Sequence, residues 1–468
     1  MKRRNFIKNV AAGTTTAAVA ASGLVQAKES QATKNDINFF DVIVVGGGFA
    51  GVTAARDVSR AGNKTLLLDA RTRLGGRTFT TNFAGHEADM GGTWVGWGQP
   101  NVWAEKMRYD LPVVASASAG ADHCVWYEGG KRKTGGANDF WPTVYEAYDK
   151  FYAPAFEYLP QPHNPLYLGE KLKKLDNIRA FDAIEALDLS RYQKEALHSY
   201  AGINGHSNSR NSSYLDQLRW FALSAFNKDF LWGNTGTYRF VHGTKSLIDH
   251  MHGDSEAQLK TGSAVVKVEQ QNDTVALTTN RKETFRARAV IMALPLNVWP
   301  DIEFKPGLSS IKQAASKEGH TGSGVKVYMR IKGRLPRAFC SGTQEMPLSF
   351  VFTEYDEEDQ ILIGFGGSPD YLDVNDDEEV EKALHRYLPE AQLLESYAYD
   401  WNLDPYSKGT WCMFPPGMLT TALKELQRPE GNVYFAGADI ANGWRGFIDG
   451  AIESGARNAQ LVSKKLAS

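Results

Sequence analysis

The pattern of apolar positions is clearest near the start of the chain. Residues 41–45 (DVIVV) form a short β-branched run, which is typical of a strand buried on both faces in a parallel sheet. Apolar residues at helical spacing follow at Ala54, Ala55 and Val58, and residues 65–68 (TLLL) form a second apolar run. The pattern therefore predicts a strand, a helix and a second strand, which is how an α/β fold begins.

Later apolar segments predict further strands and helices, and no internal repeat is evident. Residues 264–269 (AVVKVE) and 433–435 (VYF) predict strands, whereas residues 190–200 and 450–466 predict helices. The acidic run at residues 376–379 (DDEE) is typical of solvated charges at a helix start.

Composition and charge exclude several classes of protein. Of the 468 residues, 42% are hydrophobic and 23% are charged, and the formal net charge is -2. A chain of this length exceeds one ordinary core, so two lobes are expected. The near-neutral charge and the lack of a basic stripe argue against a nucleic-acid partner. Cys124, Cys340 and Cys412 are far apart, so we expect no metal site and at most one disulfide.

The N-terminal residues have the features of a targeting segment. Residues 2–8 (KRRNFIK) precede an Ala-rich and Thr-rich run to Leu24, and residues 25–27 (VQA) offer small residues at a cleavage point. The segment resembles a twin-arginine export signal, with a disordered basic tail as the alternative. We therefore expect residues 1–27 to be removed and the mature protein to be periplasmic. The run is too short and too polar to span a membrane, so no membrane span is expected.

A glycine motif follows the first predicted strand. Residues 46–51 (GGGFAG) fit the pattern G-x-G-x-x-G, in which Gly46 permits a tight turn, Gly48 lets the backbone approach a pyrophosphate, and Gly51 lets the helix pack against the strand. Asp69 ends the second strand about twenty residues later, where an acid accepts hydrogen bonds from ribose hydroxyls. Strand, turn, helix and acid together predict a dinucleotide site, but they do not distinguish FAD from NAD.

Two further motifs carry a family resemblance. Residues 73–77 (RLGGR) and 433–439 (VYFAGAD) resemble those of flavin-dependent, monoamine oxidase-like amine oxidases. Residues 91–95 (GGTWV) and 442–444 (NGW) look most like those of the bacterial nicotine oxidoreductases and pseudooxynicotine amine oxidases in that family. The resemblance covers essentially the whole mature chain. It implies FAD as the cofactor and a small-molecule amine as the substrate.

The resemblance also implies an α/β fold made of two interleaved domains. The Rossmann-type FAD-binding domain is expected to comprise residues 38–111, 238–300 and 408–465. The mixed α+β substrate-binding domain is expected to comprise residues 112–237 and 301–407. In its first segment, Trp141, Tyr145, Tyr148 and residues 190–200 are candidates for the roof of a pocket, although core packing is the more ordinary role for each.

Cofactor contacts follow from the same resemblance. Arg77 is expected to reach the pyrophosphate, with Gly76 allowing close approach. Gly437 and Asp439 are expected at the ribityl and phosphate region, and the backbone near Val266 at the adenine. The remaining expected cofactor-binding residues are Phe49, Ala50, Ala70, Arg71, Gly92, Thr93, Trp94 and Ile448.

The chemistry that the family implies is hydride transfer to flavin N5 from the carbon next to a neutral amine, which leaves an imine that hydrolyses. Trp411 and Phe447 occupy the two aromatic-wall positions, where ordinary core packing is the alternative. Phe447 is a departure, because many relatives carry Tyr there and nicotine-type enzymes can carry Asn; an apolar slot suits a hydrophobic amine. Thr410 stands where covalent members have cysteine, which implies non-covalent FAD. Lys326 matches a lysine that holds a water near N5, although its alternation with apolar neighbours would also suit a solvated strand lysine.

Two other functions stay open at this point. An L-amino-acid oxidase on the same fold would need a cation for the substrate carboxylate, and Arg445 is the nearby candidate. An exported flavin electron-transfer or binding protein would need no substrate pocket. The sequence does not choose between O2 and a c-type cytochrome as electron acceptor. It also leaves the oligomeric state open, with a homodimer among the alternatives.

Overall fold

The computed structural model describes residues 38–468, so the expected signal segment, residues 1–27, lies outside the described residues. The strands are β1 Phe39–Val45, β2 Thr65–Leu68, β3 Thr80–Phe83, β4 His86–Asp89, β5 Trp94–Val95, β6 Val113–Ala115, β7 His123–Glu128, β8 Lys131–Gly135, β9 Tyr238–Phe240, β10 Gln258–Lys260, β11 Val265–Gln271, β12 Thr274–Thr279, β13 Thr284–Met292, β14 Glu303–Lys305, β15 Val325–Ile331, β16 Ala338–Ser341, β17 Phe350–Tyr355, β18 Ile361–Gly366, β19 Leu393–Ala398 and β20 Val433–Phe435. The α-helices are α1 Phe49–Arg60, α2 Pro100–Arg108, α3 Ala137–Tyr152, α4 Ala155–Tyr158, α5 Lys173–Asp176, α6 Ala180–Glu185, α7 Arg191–Gly205, α8 Tyr214–Leu223, α9 Lys228–Trp232, α10 Gly243–Gly253, α11 Ser310–Glu318, α12 Asp377–His385, α13 Met418–Gln427 and α14 Ile448–Ala467.

The first large sheet contains the predicted strand–helix–strand unit. Its strand order is β10-β2-β1-β13-β12-β11-β14, with β20 paired to β13. β1 and β2 are parallel, as are β13 and β20. The predicted strands are confirmed, and α1 begins at Phe49, directly after the glycines. β14 joins this sheet a few residues beyond the expected segment boundary at 300.

The second large sheet has the order β19-β15-β18-β17-β16-β7-β8. Its strands come from residues 123–135 and 325–398, with a parallel pair between β7 and β16 joining the two segments. β15 lies between β18 and β19, so both of its edges are paired, and every residue of the strand except Arg330 is buried.

Close contact between α1 and α14 holds the first sheet's helical layer together. A Cβ added at Gly455 of α14 would lie 2.3 Å from the Ala50 carbonyl oxygen of α1. Only glycine allows the two helices to approach so closely. The N-terminal ends of both helices meet the same cavity, through Phe49 and Ile448.

The helix α7 begins with a capping box. Ser190 accepts a hydrogen bond from the backbone N–H of Gln193, and the Gln193 side chain accepts one from the Ser190 backbone, so α7 starts at Arg191. The helix continues five residues past its predicted end at Tyr200 and stops at His206, whose backbone is left-handed with φ 44°. The predicted start of α12 at the acidic run is also confirmed, with Asp376 as its N-cap.

Within residues 38–468, none of the helices combines the length and the apolar character needed to cross a bilayer. All three cysteines are buried and free of disulfide bonds.

Candidate active site

One cavity brings together most of the residues that the sequence predicted for the site. It extends from the glycine turn after β1 to an aromatic wall that includes Trp220 and Trp232. The predicted residues that line it are Gly46, Gly48, Phe49, Ala50, Asp69, Ala70, Arg71, Gly76, Arg77, Gly92, Thr93, Trp94, Val266, Lys326, Trp411, Gly437, Phe447 and Ile448. Gly51 and Asp439 are not among the lining residues. Gly51 packs behind the turn, and Asp439 is buried in an ion pair with Arg77.

Asp69 organises the nucleotide end of this cavity. One carboxylate oxygen accepts the N–H of Gly47 at 2.6 Å, and the other accepts the N–H of Arg71 at 2.7 Å. Burial raises the pKa of Asp69, although these backbone donors and nearby arginines oppose the rise. Each oxygen keeps a further lone pair. The carboxylate can therefore shape the turn and still accept hydroxyl hydrogen bonds from a ligand in the cavity.

Val266 is the extra residue of a β-bulge. The pairing of β11 with β12 shifts between Val265 and Lys267, which leaves Val266 without a partner in β12. Its side chain is 41% exposed, and it lines the cavity. A bulge at this point turns an ordinary strand residue towards the site, in the place where the adenine contact was expected.

Arg77 is held by protein groups on two sides. Its guanidinium donates to the Asp439 carboxylate at 2.6 Å and to the Thr410 carbonyl at 2.7 Å. Burial alone would raise the pKa of Asp439, but Arg77 and His320 outweigh burial and lower it. In its expected phosphate role, Arg77 would therefore share its positive charge between the phosphate and Asp439. The same guanidinium also fixes Thr410, the residue just before Trp411.

Lys326, the second residue of β15, points into the cavity. One face of β15 packs into the core of the second sheet through Val325, Val327 and Met329. The opposite face, which would also suit a solvated lysine, meets the cavity, so Lys326 is buried there. Its Nζ donates to Thr93 Oγ1 at 2.6 Å.

Two backbone carbonyls complete the contacts of the Lys326 ammonium. Nζ donates to the carbonyl oxygens of Asp89 at 2.7 Å and Gly91 at 3.2 Å. With Thr93 Oγ1, these acceptors match the three donors of an ammonium group. A water held by Lys326 would have to replace one of them. Burial lowers the pKa of Lys326 to about 8, against the attraction of Asp89 and Glu354.

Trp411 and Phe447 line the same cavity from different segments. The Trp411 indole N–H donates to the Asn204 carbonyl at 2.7 Å. Phe447 is the N-cap residue of α14, and its ring meets Trp220 edge-on at 4.7 Å and Trp444 at 5.1 Å. The two predicted wall residues are thus fixed by separate parts of the helical layer.

Arg445 is not available to a ligand in the cavity. It is 1% exposed, forms an ion pair with the buried Asp216, and lies over the Phe414 ring at 4.0 Å. It is not among the cavity-lining residues. The two arginines that line the cavity are each paired with a carboxylate, since Arg71 pairs with Asp404 at 2.6 Å and Arg77 pairs with Asp439. This arrangement argues against a grip on a substrate carboxylate.

Several lining residues were missed by the sequence analysis, and three of the candidates for the roof have the more ordinary role of core packing. Trp141, Tyr145 and Tyr148 do not line the cavity; Tyr148 packs behind Tyr200, with ring centroids 4.4 Å apart. The lining residues without a sequence prediction include Ile203, Asn204, His206, Trp220, Trp232, Thr235, Phe352 and Phe365. Helical spacing from Tyr200 to Asn204 was the available signal, but only the fold shows which helix face meets the cavity.

The residues around the glycine turn fit a bound dinucleotide. Gly48 and Gly75 form an isolated parallel bridge, and an added Cβ at Gly76 would meet Gly48 at 3.3 Å, so the two glycine motifs lie against each other at the cavity. The N-terminal end of α1 and the acid Asp69 complete the arrangement that holds pyrophosphate and ribose. No cysteine lines the cavity among the described residues; Cys412 instead directs its thiol to the Asp439 carbonyl at 3.7 Å.

Comparison with known proteins identifies the family. The model of the flavin-containing amine oxidoreductases matches residues 49–463. The chain is 42% identical over 432 residues to a pseudooxynicotine dehydrogenase of Pseudomonas sp, covering 91% of this chain and 87% of that protein. It is 38% identical over 473 residues to a nicotine dehydrogenase of Pseudomonas putida, covering 99% and 97%. The chain therefore belongs to the flavin-containing amine oxidoreductases.

Solved structures agree on the fold. A putrescine oxidase superposes with a TM-score of 0.80 at 20% identity, covering 92% of this chain and 99% of that one. The cyclohexylamine oxidase of Brevibacterium oxydans gives a TM-score of 0.78 at 19% identity, covering 92% and 100%. The protein is an FAD-dependent amine oxidoreductase.

Lys326→Met is expected to lower the midpoint potential of the bound flavin, because the positive charge of Lys326 favours the negative charge gained on reduction. Lysine is charged below its pKa, so the wild type and the variant should differ most below a pH of about 8 and converge above it. Spectroelectrochemical titration between about pH 6 and 10 measures both curves. Lys312→Met is the control, since Lys312 is buried and paired with Glu430 at 3.0 Å outside the cavity. Equal potentials at low pH would contradict the prediction that Lys326 lies beside the flavin.

Proposed function

We propose that the protein oxidises a hydrophobic amine of the nicotine type. The observation that carries the proposal is a single cavity in which Lys326, Trp411 and Phe447 meet the dinucleotide turn, with every lining arginine already paired to a carboxylate. The names of the relatives that act on nicotine and pseudooxynicotine support the same substrate class. An L-amino-acid oxidase is the weaker alternative, because its carboxylate would find no free arginine.

The wall residues would favour the reactive form of the amine. When bound, FAD supplies the hydride acceptor. Trp411 and Phe447 exclude water from the amine, and desolvation disfavours its protonated form. The ammonium of Lys326 acts in the same direction, since a positive charge nearby disfavours a second one. Together these groups would hold a neutral amine between two aromatic faces.

One donor in the cavity wall suggests what else the substrate carries. Trp232 Nε1 is buried without a hydrogen-bond partner in the protein, and Trp232 lines the cavity. A buried donor left unpaired costs about 1–3 kcal/mol. A substrate with a hydrogen-bond acceptor, such as a pyridine nitrogen or a carbonyl oxygen, would satisfy it. A purely aliphatic amine would leave it unpaired.

Anaerobic mixing of the purified protein with a panel of amines tests the proposal. The panel contains nicotine, pseudooxynicotine, aromatic and aliphatic monoamines, polyamines and L-amino acids, and the readout is the rate at which the flavin absorbance bleaches. Fast bleaching by pyridyl amines and slow bleaching by aliphatic amines of similar size is the expected result. Bleaching by amino acids alone would favour the oxidase alternative. Bleaching by no compound would favour an electron-transfer or binding role.

Phe447→Ala is expected to weaken binding of a hydrophobic amine. The change removes one apolar wall, and burial of such a side chain contributes roughly 1.5–3 kcal/mol, which corresponds to an increase in Kd of about 10–100-fold. The amine-concentration dependence of anaerobic flavin reduction gives Kd. Phe447→Leu keeps a large apolar side chain in the wall and serves as the matched control. A Phe447→Ala variant that binds the amine as the wild type does would show that Phe447 is only core packing.

The cellular setting belongs to the same proposal. The paired arginines and Ala-rich run support export of the folded, FAD-loaded protein to the periplasm. Residues 38–111, 238–300 and 408–465 would form the FAD-binding domain, and residues 112–237 and 301–407 the substrate-binding domain. Reoxidation of the amine-reduced protein by O2 or by added c-type cytochrome in parallel assays distinguishes the two acceptors. Light scattering of the same samples distinguishes a monomer from a homodimer.

A further inference from the structure

His206 lies against the face of Trp411. The two ring centroids are 3.9 Å apart and the ring planes are 4° from parallel. The edge of the same indole is fixed by its N–H, which donates to the Asn204 carbonyl. Both supports come from the C-terminal end of α7, which ends at Gly205. Because His206 covers one face of the indole, the part of Trp411 that lines the cavity is its other face or edge.

Hydrogen bonds fix the orientation of the His206 ring. A carbonyl oxygen can only accept, so Nε2 carries the proton and donates to the Val325 carbonyl at 3.1 Å. Nδ1 then accepts from the Thr410 hydroxyl at 2.8 Å. Burial lowers the pKa of His206 to about 3, which keeps the ring neutral with this one tautomer. The ring therefore has a single arrangement in which both nitrogens are satisfied.

These partners are neighbours of the two residues that matter most for the reaction. Thr410 directly precedes Trp411, and Val325 directly precedes Lys326. The His206 carbonyl also accepts the N–H groups of Ser323 at 2.8 Å and Gly324 at 2.6 Å. A side chain on Gly324 would lie 2.4 Å from the imidazole, so the strand and the ring fit closely.

We infer that His206 is a positioning residue that holds Trp411 and Lys326 in fixed relation across the cavity. It acts through these two residues, since its nitrogens are both used by protein groups and its face is used by the indole. The inference rests on the proposed function for its effect on catalysis. Its effect on the place of Trp411 is independent of the substrate.

Two variants separate the stacking from the hydrogen bonds. His206→Phe keeps an aromatic face and removes both hydrogen bonds. His206→Asn removes the stacked ring, and asparagine tolerates the left-handed backbone at this position better than other residues. The matched control is His198→Asn on the same helix. His198 is buried, stacks on Phe181 at 4.6 Å and makes two side-chain hydrogen bonds, but it does not line the cavity.

The first measurement is fluorine NMR of the holoenzyme labelled with 5-fluorotryptophan. The chain has 11 tryptophans, and the Trp411 signal is assigned by its absence in Trp411→Phe. We expect the Trp411 signal to shift or broaden in His206→Asn and His206→Phe, and to stay unchanged in His198→Asn. An unchanged Trp411 signal in both His206 variants would overturn the inference, whether or not any amine reduces the flavin.

The second measurement is anaerobic flavin reduction with nicotine and pseudooxynicotine as probes. A misplaced wall is expected to slow reduction by about 10–100-fold at saturating amine, with flavin content unchanged. In a Trp411→Ala background, the further loss from His206→Asn should be much smaller, because residues that act through one another are not additive. Losses that match His198→Asn, or that add fully to Trp411→Ala, would contradict a positioning role. Failure of both probes to reduce the wild type would count against the proposed function, and the NMR result would still decide on His206.

Discussion

Asp216→Ala is expected to lower the free energy of unfolding by at least about 3–5 kcal/mol, because it leaves two buried guanidinium groups without a counter-charge. Asp216 is fully buried between Arg219, at 3.1 Å, and Arg445. Its second oxygen accepts the Phe414 N–H at 2.7 Å. Chemical denaturation of the flavin-loaded protein, followed by flavin release and tryptophan fluorescence, measures the loss.

The exposed pair of Arg179 and Asp182 provides the control. Its distances, 2.6 and 2.8 Å, are as short as those of a strong ion pair, but both side chains are about half exposed. Exposed pairs contribute about 0–1 kcal/mol, so Asp182→Ala should have little effect. A loss at Asp216 as small as that at Asp182 would show that the buried arginines find other partners.

The pH dependence of the Asp216 contribution has a definite sign. Burial would raise the pKa of Asp216, but Arg445 and Arg219 outweigh burial and hold it below its ordinary value of 3.8. A carboxylate with a lowered pKa stabilises the fold fully above its ordinary pKa. The difference between wild type and Asp216→Asn should therefore persist at neutral pH and shrink only in strong acid.

Gly51→Ala is expected to give a protein that binds FAD poorly. An added Cβ would lie 1.7 Å from the Gly46 carbonyl oxygen, so the turn that lines the cavity must move. Overpacking of this kind costs about 1–3 kcal/mol, and carried to the ligand it lowers FAD affinity by about 10–100-fold. The ratio of flavin to protein absorbance after purification, and after dialysis with added FAD, measures the change.

Gly253→Ala tests whether any loss is specific to the turn. Gly253 ends α10, has no unusual backbone angle, and has no atom within 4 Å of an added Cβ. Its flavin content should equal that of the wild type. Normal flavin content in Gly51→Ala would mean that the helix and the turn can separate without loss of the site.

The nucleotide end of the site could be predicted from the sequence because its geometry is local. The turn at Gly46 and Gly48, the start of α1 and the acid Asp69 follow one another within thirty residues, and each residue type is required by the backbone or by the ligand. The strand before Gly437 could be placed for the same reason. A motif whose strand, turn and helix are adjacent in the sequence can therefore be placed in the fold from the sequence alone.

Apart from Trp411 and Phe447, which the family resemblance indicated, the aromatic end could not be predicted, because its residues come from elements that are far apart in the chain. Asn204 and His206 end one helix, Trp220 lies in the next, and Phe352 and Phe365 lie on the second sheet. In the sequence, nothing distinguishes the aromatic residues that line the cavity from Trp141 and Tyr148, which are packed in the core. The pairing of Arg77 with Asp439 could not be predicted for the same reason, since a contact between residues 362 positions apart has no local signal.

Phe447 has two structural roles. It lines the cavity, and it is the N-cap residue from which α14 begins. The N-terminal end of that helix carries a partial positive charge, and it meets the cavity through Ile448. Under the proposed function, a mutation that reshapes the substrate wall at Phe447 also changes the N-cap of a helix whose first residues line the cavity. A change at Phe447 is therefore expected to alter both the choice of amine and the electrostatic environment of the cofactor. Laboratory evolution towards a new amine at this position should select compensating changes in the first turns of α14.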